Sequence, residues 1–171
     1  MEGLMRKVRI EKVVVNIGVG SSGEKLNKAM QVLEMITGQK PAPRKAKKTI
    51  KEFKIKKGEN IACIVTLRKE KAKNFLSKAL LAIGNKIKAG WFDDRGNMSF
   101  GIREHIQIPG TKYDPELGIF GMNICVLLSR PGYRVKLRRR KRSKIGRNHL
   151  VSRTEAMNFF RKEFNVEIIG E

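Results

Sequence analysis

Acid is what this 171-residue chain has least of among its charges: 16 Asp and Glu stand against 38 Lys and Arg, a net charge of +22. Cysteine is nearly absent. Cys63 and Cys125 lie far apart in apolar runs, which excludes a disulfide framework or a four-cysteine metal site and suits buried free thiols in a reducing compartment. Only two histidines, His105 and His149, are available, and no nucleophile-elbow or metal-ligand spacing surrounds them. Apolar runs stop short of the ~18 residues that a membrane-spanning helix needs. The longest candidate, residues 119–128, is interrupted by Gly121 and Asn123. The opening Met1-Glu2-Gly3-Leu4-Met5-Arg6-Lys7 has no apolar signal core, so nothing in it directs export. Aromatics make up only 6%, and the aromatic octapeptide of the common four-stranded RNA-recognition module is missing. Hydrophobic residues nonetheless reach 40%, too many for a wholly disordered basic tail and enough for a core without staples.

A surplus of +22 repels itself in a compact body, and a polyanion relieves the strain. Nucleic acid is the partner this charge fits, since an anionic membrane would favour a basic amphipathic helix or lipid anchor, and neither stands at the termini. The charge is also clumped. Residues 40–57 hold nine basic residues and one acid, Glu52, and residues 130–147 hold ten basic residues and no acid. A solvated face or flexible tail is the plain alternative for such runs, but both lie between structured segments.

Residues 8–17 read as a strand, with Val13, Val14 and Val15 β-branched. Leu26, Ala29, Met30, Leu33 and Ile36 recur at helical spacing after a glycine turn, with Ser21 or Ser22 as a cap and Gly38 as a stop. Pro41 and Pro43 open the first basic loop, about residues 40–58, where a further strand has room. Residues 61–68 alternate as a second strand, with Cys63, Val65 and Leu67 on one side and Thr66 and Arg68 on the other. Residues 70–87 read as a helix with Ala72, Phe75, Leu76, Ala79, Leu80, Ile83 and Ile87 inward. Asp93 to Asn97 forms a turn. Residues 98–108 and 119–129 alternate as strands, the first with Arg103 and His105 outward. The second basic loop, about residues 130–148, precedes a capping box, Ser152-Arg153-Thr154-Glu155, and a last helix of about 153–164. The whole predicts a single α+β domain over residues 1–171. Its two layers are a mostly antiparallel twisted sheet and helices on one face of it; the other face is open, polar and partly cationic, carrying Asn16, Thr66, Arg68, Arg103, His105 and Asn123.

Gly18-x-Gly20-x-x-Gly23 between strand and helix matches the dinucleotide fingerprint locally. Glu24 stands where a phosphate loop needs its lysine. The region that should supply an acid at the end of a second parallel strand carries two prolines and six basic residues instead. A structural glycine turn is the competing reading. Asp93 and Asp94 read as turn formers, and His149 as a basic-loop residue near phosphate. Trp91, Phe92, Phe53 and Tyr133 lie in or beside basic or loop segments, where an aromatic can stack on an unpaired base or simply pack in the core.

Several ordered segments resemble one family. Val13-Val14-Val15-Asn16-Ile17-Gly18-Val19-Gly20 is similar to the first-strand motif of the large-subunit ribosomal protein L-five family. Thr37-Gly38-Gln39-Lys40-Pro41, with Arg44-Lys45-Ala46-Lys47-Lys48 and Phe53-Lys54-Ile55, resembles its second motif. Val65-Thr66-Leu67-Arg68 and Phe92-Asp93-Asp94-Arg95-Gly96-Asn97 resemble the next two, so the likeness runs over about residues 8–168. Only seven residues precede Val8, and a basic loop follows Arg130; both features are similar to the archaeal or eukaryotic branch.

The resemblance implies a non-catalytic ribosomal component of the cytoplasm, without metal or cofactor, that binds 5S rRNA and large-subunit rRNA in the central protuberance. It implies contact with P-site tRNA, with a small-subunit head protein of the S-thirteen family across an intersubunit bridge, and with a large-subunit protein of the L-eighteen family. Its 5S-binding positions fall on Asn16, Gln39, Phe53 and Thr66, and its tRNA-facing loop on residues 44–58. Phosphate contacts to rRNA or tRNA then fall to Arg44, Lys45, Lys47, Lys48, Lys51, Lys54, Lys56, Lys57 and Arg68 on one side of the chain. Arg138, Arg139, Arg140, Lys141, Arg142, Lys144 and Arg147 supply them on the other. Two other functions compete: a nucleotide-binding protein using the Gly18–Gly23 turn, and a general RNA or DNA chaperone for which clumped charge alone suffices.

Overall fold

The β-branched run of the first strand ends up at the centre of the molecule. In the computed structural model, which describes residues 3–170, β1 (Arg9–Gly18) is the middle strand of a five-stranded antiparallel sheet. α1 (Glu24–Thr37) follows, then β2 (Ala42–Lys45), β3 (Asn60–Leu67) and α2 (Lys69–Ala82). β4 (Lys86–Lys88), β5 (Met98–Ile102) and β6 (Met122–Ser129) come next. The chain closes with α3 (Arg134–Leu137), α4 (Arg153–Phe164) and β7 (Glu167–Ile169). The sheet order is β2-β3-β1-β6-β5, and β4 pairs with β7 as a separate two-stranded parallel ribbon.

Alternation sorts the two faces of the sheet. Val13, Val15 and Ile17 of β1, Cys63, Val65 and Leu67 of β3, and Ile124, Val126 and Leu128 of β6 are all buried. They form one core with Leu26, Ala29, Val32 and Leu33 of α1 and Phe75, Leu76, Ala79 and Leu80 of α2. α4 joins that core through Ala156, Met157 and Phe160, whose ring meets Phe92 edge-on at 5.6 Å between centroids. The outward positions of the same strands, Val14, Asn16, Ile64, Thr66 and Cys125, are only half-buried, as the α+β reading expects.

Several local expectations hold and several do not. Gly38 closes α1 in the left-handed conformation, its N–H donating to the Glu34 carbonyl. The capping box at Ser152 is complete in both directions. Asp93 Oδ1 accepts from the Arg95 and Asn97 N–H groups, as a turn former should. The α1 N-cap, however, is Gly23 and not a serine. α2 ends at Ala82 rather than at residue 87, because Gly84 and Asn85 take positive φ; Ile87 is buried in β4 instead. β5 ends at Ile102, and His105 is buried rather than on the open face. Its Nδ1 accepts from the Phe120 N–H, and burial holds the ring's pKa below its ordinary value, so the neutral acceptor persists. Cys63 is buried and its thiol pushed up by desolvation, whereas Cys125 is only half-buried, facing out beside Val14. No helix among the described residues is long and apolar enough to cross a membrane.

Candidate nucleic-acid interface

Short polar side chains stand among longer ones, Lys12, Ile64 and Leu127, on the open face. Across the strands, Asn16 sits opposite Ile64 on β3 and Asn123 on β6, and Gly101 of β5 continues the row. The next row pairs Thr66 with Val14, Cys125 and Ser99. The Asn, Thr, Ser and Gly positions in these rows let a ligand approach the backbone and offer amides and hydroxyls to select it. Gln39 lies where α1 returns to the sheet edge, and its Nε2 donates to the Thr66 carbonyl at 3.3 Å. Asn16, Thr66 and Gln39 therefore share one region. Arg68 follows in the same outward row at the mouth of α2. Arg103 is exposed just past β5.

The first basic run is an arm. It leaves the sheet at β2, with Arg44 paired beside Ala62 on the open face, and returns into β3. Ile50 and Ile55 form a two-way bridge beneath a turn of Lys51, Glu52, Phe53 and Lys54. Ala46 near its base and Ile55 beneath its tip are buried, which fixes the arm. Arg44, Lys45, Lys47, Lys48, Lys51, Lys54, Lys56 and Lys57 are all exposed. Phe53 is 68% exposed at the tip, so it is no core residue. The arm that carries it precedes the start of β3, whereas Thr66 stands near the end of that strand. Trp91, stacked on Phe100, and buried Phe92 pack in the core.

The glycine turn holds this arm in place. Val19 and Gly20 donate their N–H groups to the Ile61 carbonyl, and Ser22 Oγ donates to Glu59 Oε1 at 2.7 Å. The other Glu59 oxygen accepts from the Lys56 N–H at 3.0 Å. The Lys56 N–H chiefly, then the Ser22 hydroxyl, hold the Glu59 carboxyl below the usual carboxylate range. This tether between residues 37 apart is not legible in the sequence.

The second basic run is a loop with a built neck. It opens with the single turn of α3 and is closed by tertiary bonds at its base. The Tyr133 hydroxyl donates to the His149 carbonyl at 3.2 Å and accepts from the Val151 N–H at 3.0 Å. His149 Nε2 donates to the Pro131 carbonyl at 2.9 Å, so both rings serve the neck rather than phosphate or a base. Arg130 is buried and donates to Glu155, which also caps α4. Burial opposes ionisation of Glu155, but the Ser152 N–H and the Arg130 guanidinium outweigh it and hold its pKa below the ordinary value. Arg138, Arg139, Arg140, Lys141, Arg142, Lys144 and Arg147 project from this neck, all exposed. Of the four ion pairs among the described residues, the one at Arg130 alone involves a basic-run cation. No group of three or more His, Cys, Asp or Glu side chains converges among the described residues.

Glu155 gives the neck a pH dependence. Because its folded pKa lies below the unfolded value of about 4.3, its stabilising contribution is present above that value and is lost as pH falls through the folded pKa. Glu155→Gln keeps the capping box and removes only the charge. Thermal melts at neutral and acid pH should show the variant less stable at pH 7 and less sensitive to acid than the native chain.

Comparison with known proteins follows the same division. A family model described as ribosomal protein L5 matches residues 4–56, through the arm. A second, described as the C-terminus of that ribosomal family, matches residues 60–160, from β3 into α4. The large ribosomal subunit protein uL5 of Pyrobaculum aerophilum is 57% identical over 164 residues, covering 96% of this chain and 92% of that protein. Its counterpart in Sulfurisphaera tokodaii is 56% identical, covering 96% of this chain and 94% of that protein. That of Nanoarchaeum equitans is 53% identical over 170 residues, covering 99% and 100%. With two successive models spanning nearly the whole sequence and full-length relatives agreeing at more than half of aligned positions, the chain belongs to the ribosomal protein L5 family.

Proposed function

We propose that the chain, acting as one domain, binds 5S rRNA and large-subunit rRNA in the central protuberance. It reaches P-site tRNA through its arm, touches the small-subunit head protein of the S-thirteen family across an intersubunit bridge, and lies near an L-eighteen family protein. Family membership supports the coarser part: a structural, non-enzymatic constituent of the large ribosomal subunit, cytoplasmic with its ribosome. One observation carries the finer part. Two exposed cationic segments, held in place by tertiary bonds, flank a sheet face that presents Asn16, Thr66 and Asn123.

Cations neutralise phosphates and release counterions without reading sequence, whereas amides and hydroxyls discriminate. Asn16, Gln39 and Thr66 take the discriminating role in this reading, and Phe53 stacks on RNA from the arm. A bare cationic chaperone needs no such division. A nucleotide-binding turn is disfavoured because the Val19 and Gly20 N–H groups that would cradle phosphate already donate to Ile61.

Filter binding tests the division. Asn16→Ala should lower the preference for 5S rRNA over unrelated RNA while leaving the salt dependence unchanged. Equal loss of affinity for all RNAs would show that Asn16 does not discriminate.

A further inference from the structure

The second basic loop and the turn at residues 93–97 together line an open cleft of about 580 Å³. Arg95 lines it from the turn and Lys136, Arg142 and Lys144 from the loop, together with half-buried Ile145 and Leu150. No acid lines it. We propose that this cleft receives one unpaired nucleotide of an RNA partner, with its phosphate among the four cations and its base on the apolar floor. The inference deepens the RNA-binding reading and rests on it.

Four like charges converging on one hollow repel each other unless an anion fills it. Both segments are braced rather than free. Arg95 stands on a turn held by Asp93, whose Gly96 packs against Val151. The loop is held by the bond from the Ser143 N–H to the Val135 carbonyl at 3.3 Å, and at its base by the Tyr133 neck. Phosphate rails on a duplex are convex and need only exposed cations, which the rest of the loop provides. A concave site with an apolar floor fits a base that has left its stack, and a guanidinium plane such as that of Arg95 or Arg142 can lie against it. The volume falls within the range of small-ligand sites, about 300–1,000 Å³.

The test uses the full chain and two RNA hairpins, one fully paired and one with a single bulged 2-aminopurine. The native chain should bind the bulged hairpin about tenfold more tightly, with a change in 2-aminopurine fluorescence. Arg95→Ala, and separately Ile145→Glu, should abolish both the preference and the fluorescence change. Lys57→Ala, on the arm, should weaken both hairpins alike and keep the preference. Equal affinity of the native chain for the two hairpins, or a preference that survives Arg95→Ala, overturns the cleft while leaving RNA binding intact. Failure of the native chain to bind either hairpin overturns both readings.

Discussion

Raising the salt concentration from about 50 to about 200 mM should weaken the complex with 5S rRNA by roughly 10⁴- to 10⁵-fold. The arm and the second loop together expose more than a dozen cations outside any ion pair shorter than 4.0 Å. If about ten of them meet phosphates, log K falls against log salt with a slope of order −7 to −9. Arginines at residues 138–142 suit phosphate forks better than lysine would. Arg138→Ala and Arg140→Ala should therefore each weaken binding and flatten the slope by about one. The slope should also be the same for 5S rRNA and unrelated RNA of similar form, because cations alone set it. A slope near −2 would mean that the two basic segments do not both lie on RNA.

The largest effect on folding is expected at Gly96. Replacing it by Ala should destabilise the chain by about 2–4 kcal/mol, from the left-handed backbone and the overpacking together. Its φ is +72°, which an L side chain resists. An added Cβ would also stand 2.7 Å from Val151 Cγ1 and 3.1 Å from the Ser152 carbonyl. Val151 is β-branched and fully buried, and Ser152 is the N-cap of α4, so neither can move without disturbing the other. In a chain of this size the melting temperature should drop by roughly 5–15 °C. Gly90, whose Cβ would meet nothing within 4 Å and whose φ is not in the left-handed region, serves as the control. Gly90→Ala should melt close to the native value, and calorimetry on the two variants checks both.

Gly96 also shows what a linear sequence conceals. Asp-Asp-Arg-Gly-Asn announces a turn, and the turn is there. That the glycine is required by α4, more than fifty residues later, is a tertiary fact. The three long strands and the sidedness of the sheet are legible because alternation over β1, β3 and β6 has a period that only a half-buried strand satisfies. Ile83 and Ile87 keep helical spacing and so lengthen α2 on paper, while the backbone turns at Gly84 and Asn85 and sends Ile87 into a ribbon with β7. A parallel pair of three-residue strands about eighty residues apart leaves no local periodicity to read. Extending the β5 alternation past Ile102 points His105 outward. There the chain leaves the sheet and turns the ring inward onto Phe120.

The interface divides in the same way. The cationic runs and the polar outward positions are plain from composition and alternation. The Ser22–Glu59 tether, the Tyr133 neck and the part of Arg95 in the cleft are not, because each joins segments distant in the chain. Arg95 follows two aspartates, so its local charge balance hides its contribution to a basic cleft.

Hydroxyl-radical footprinting of 5S rRNA with the purified full chain, at physiological ionic strength and with excess unrelated RNA present, tests the central claim most directly. A compact set of protected nucleotides that persists under competition is the predicted result. Weak protection spread along the whole RNA and erased by the competitor would contradict it.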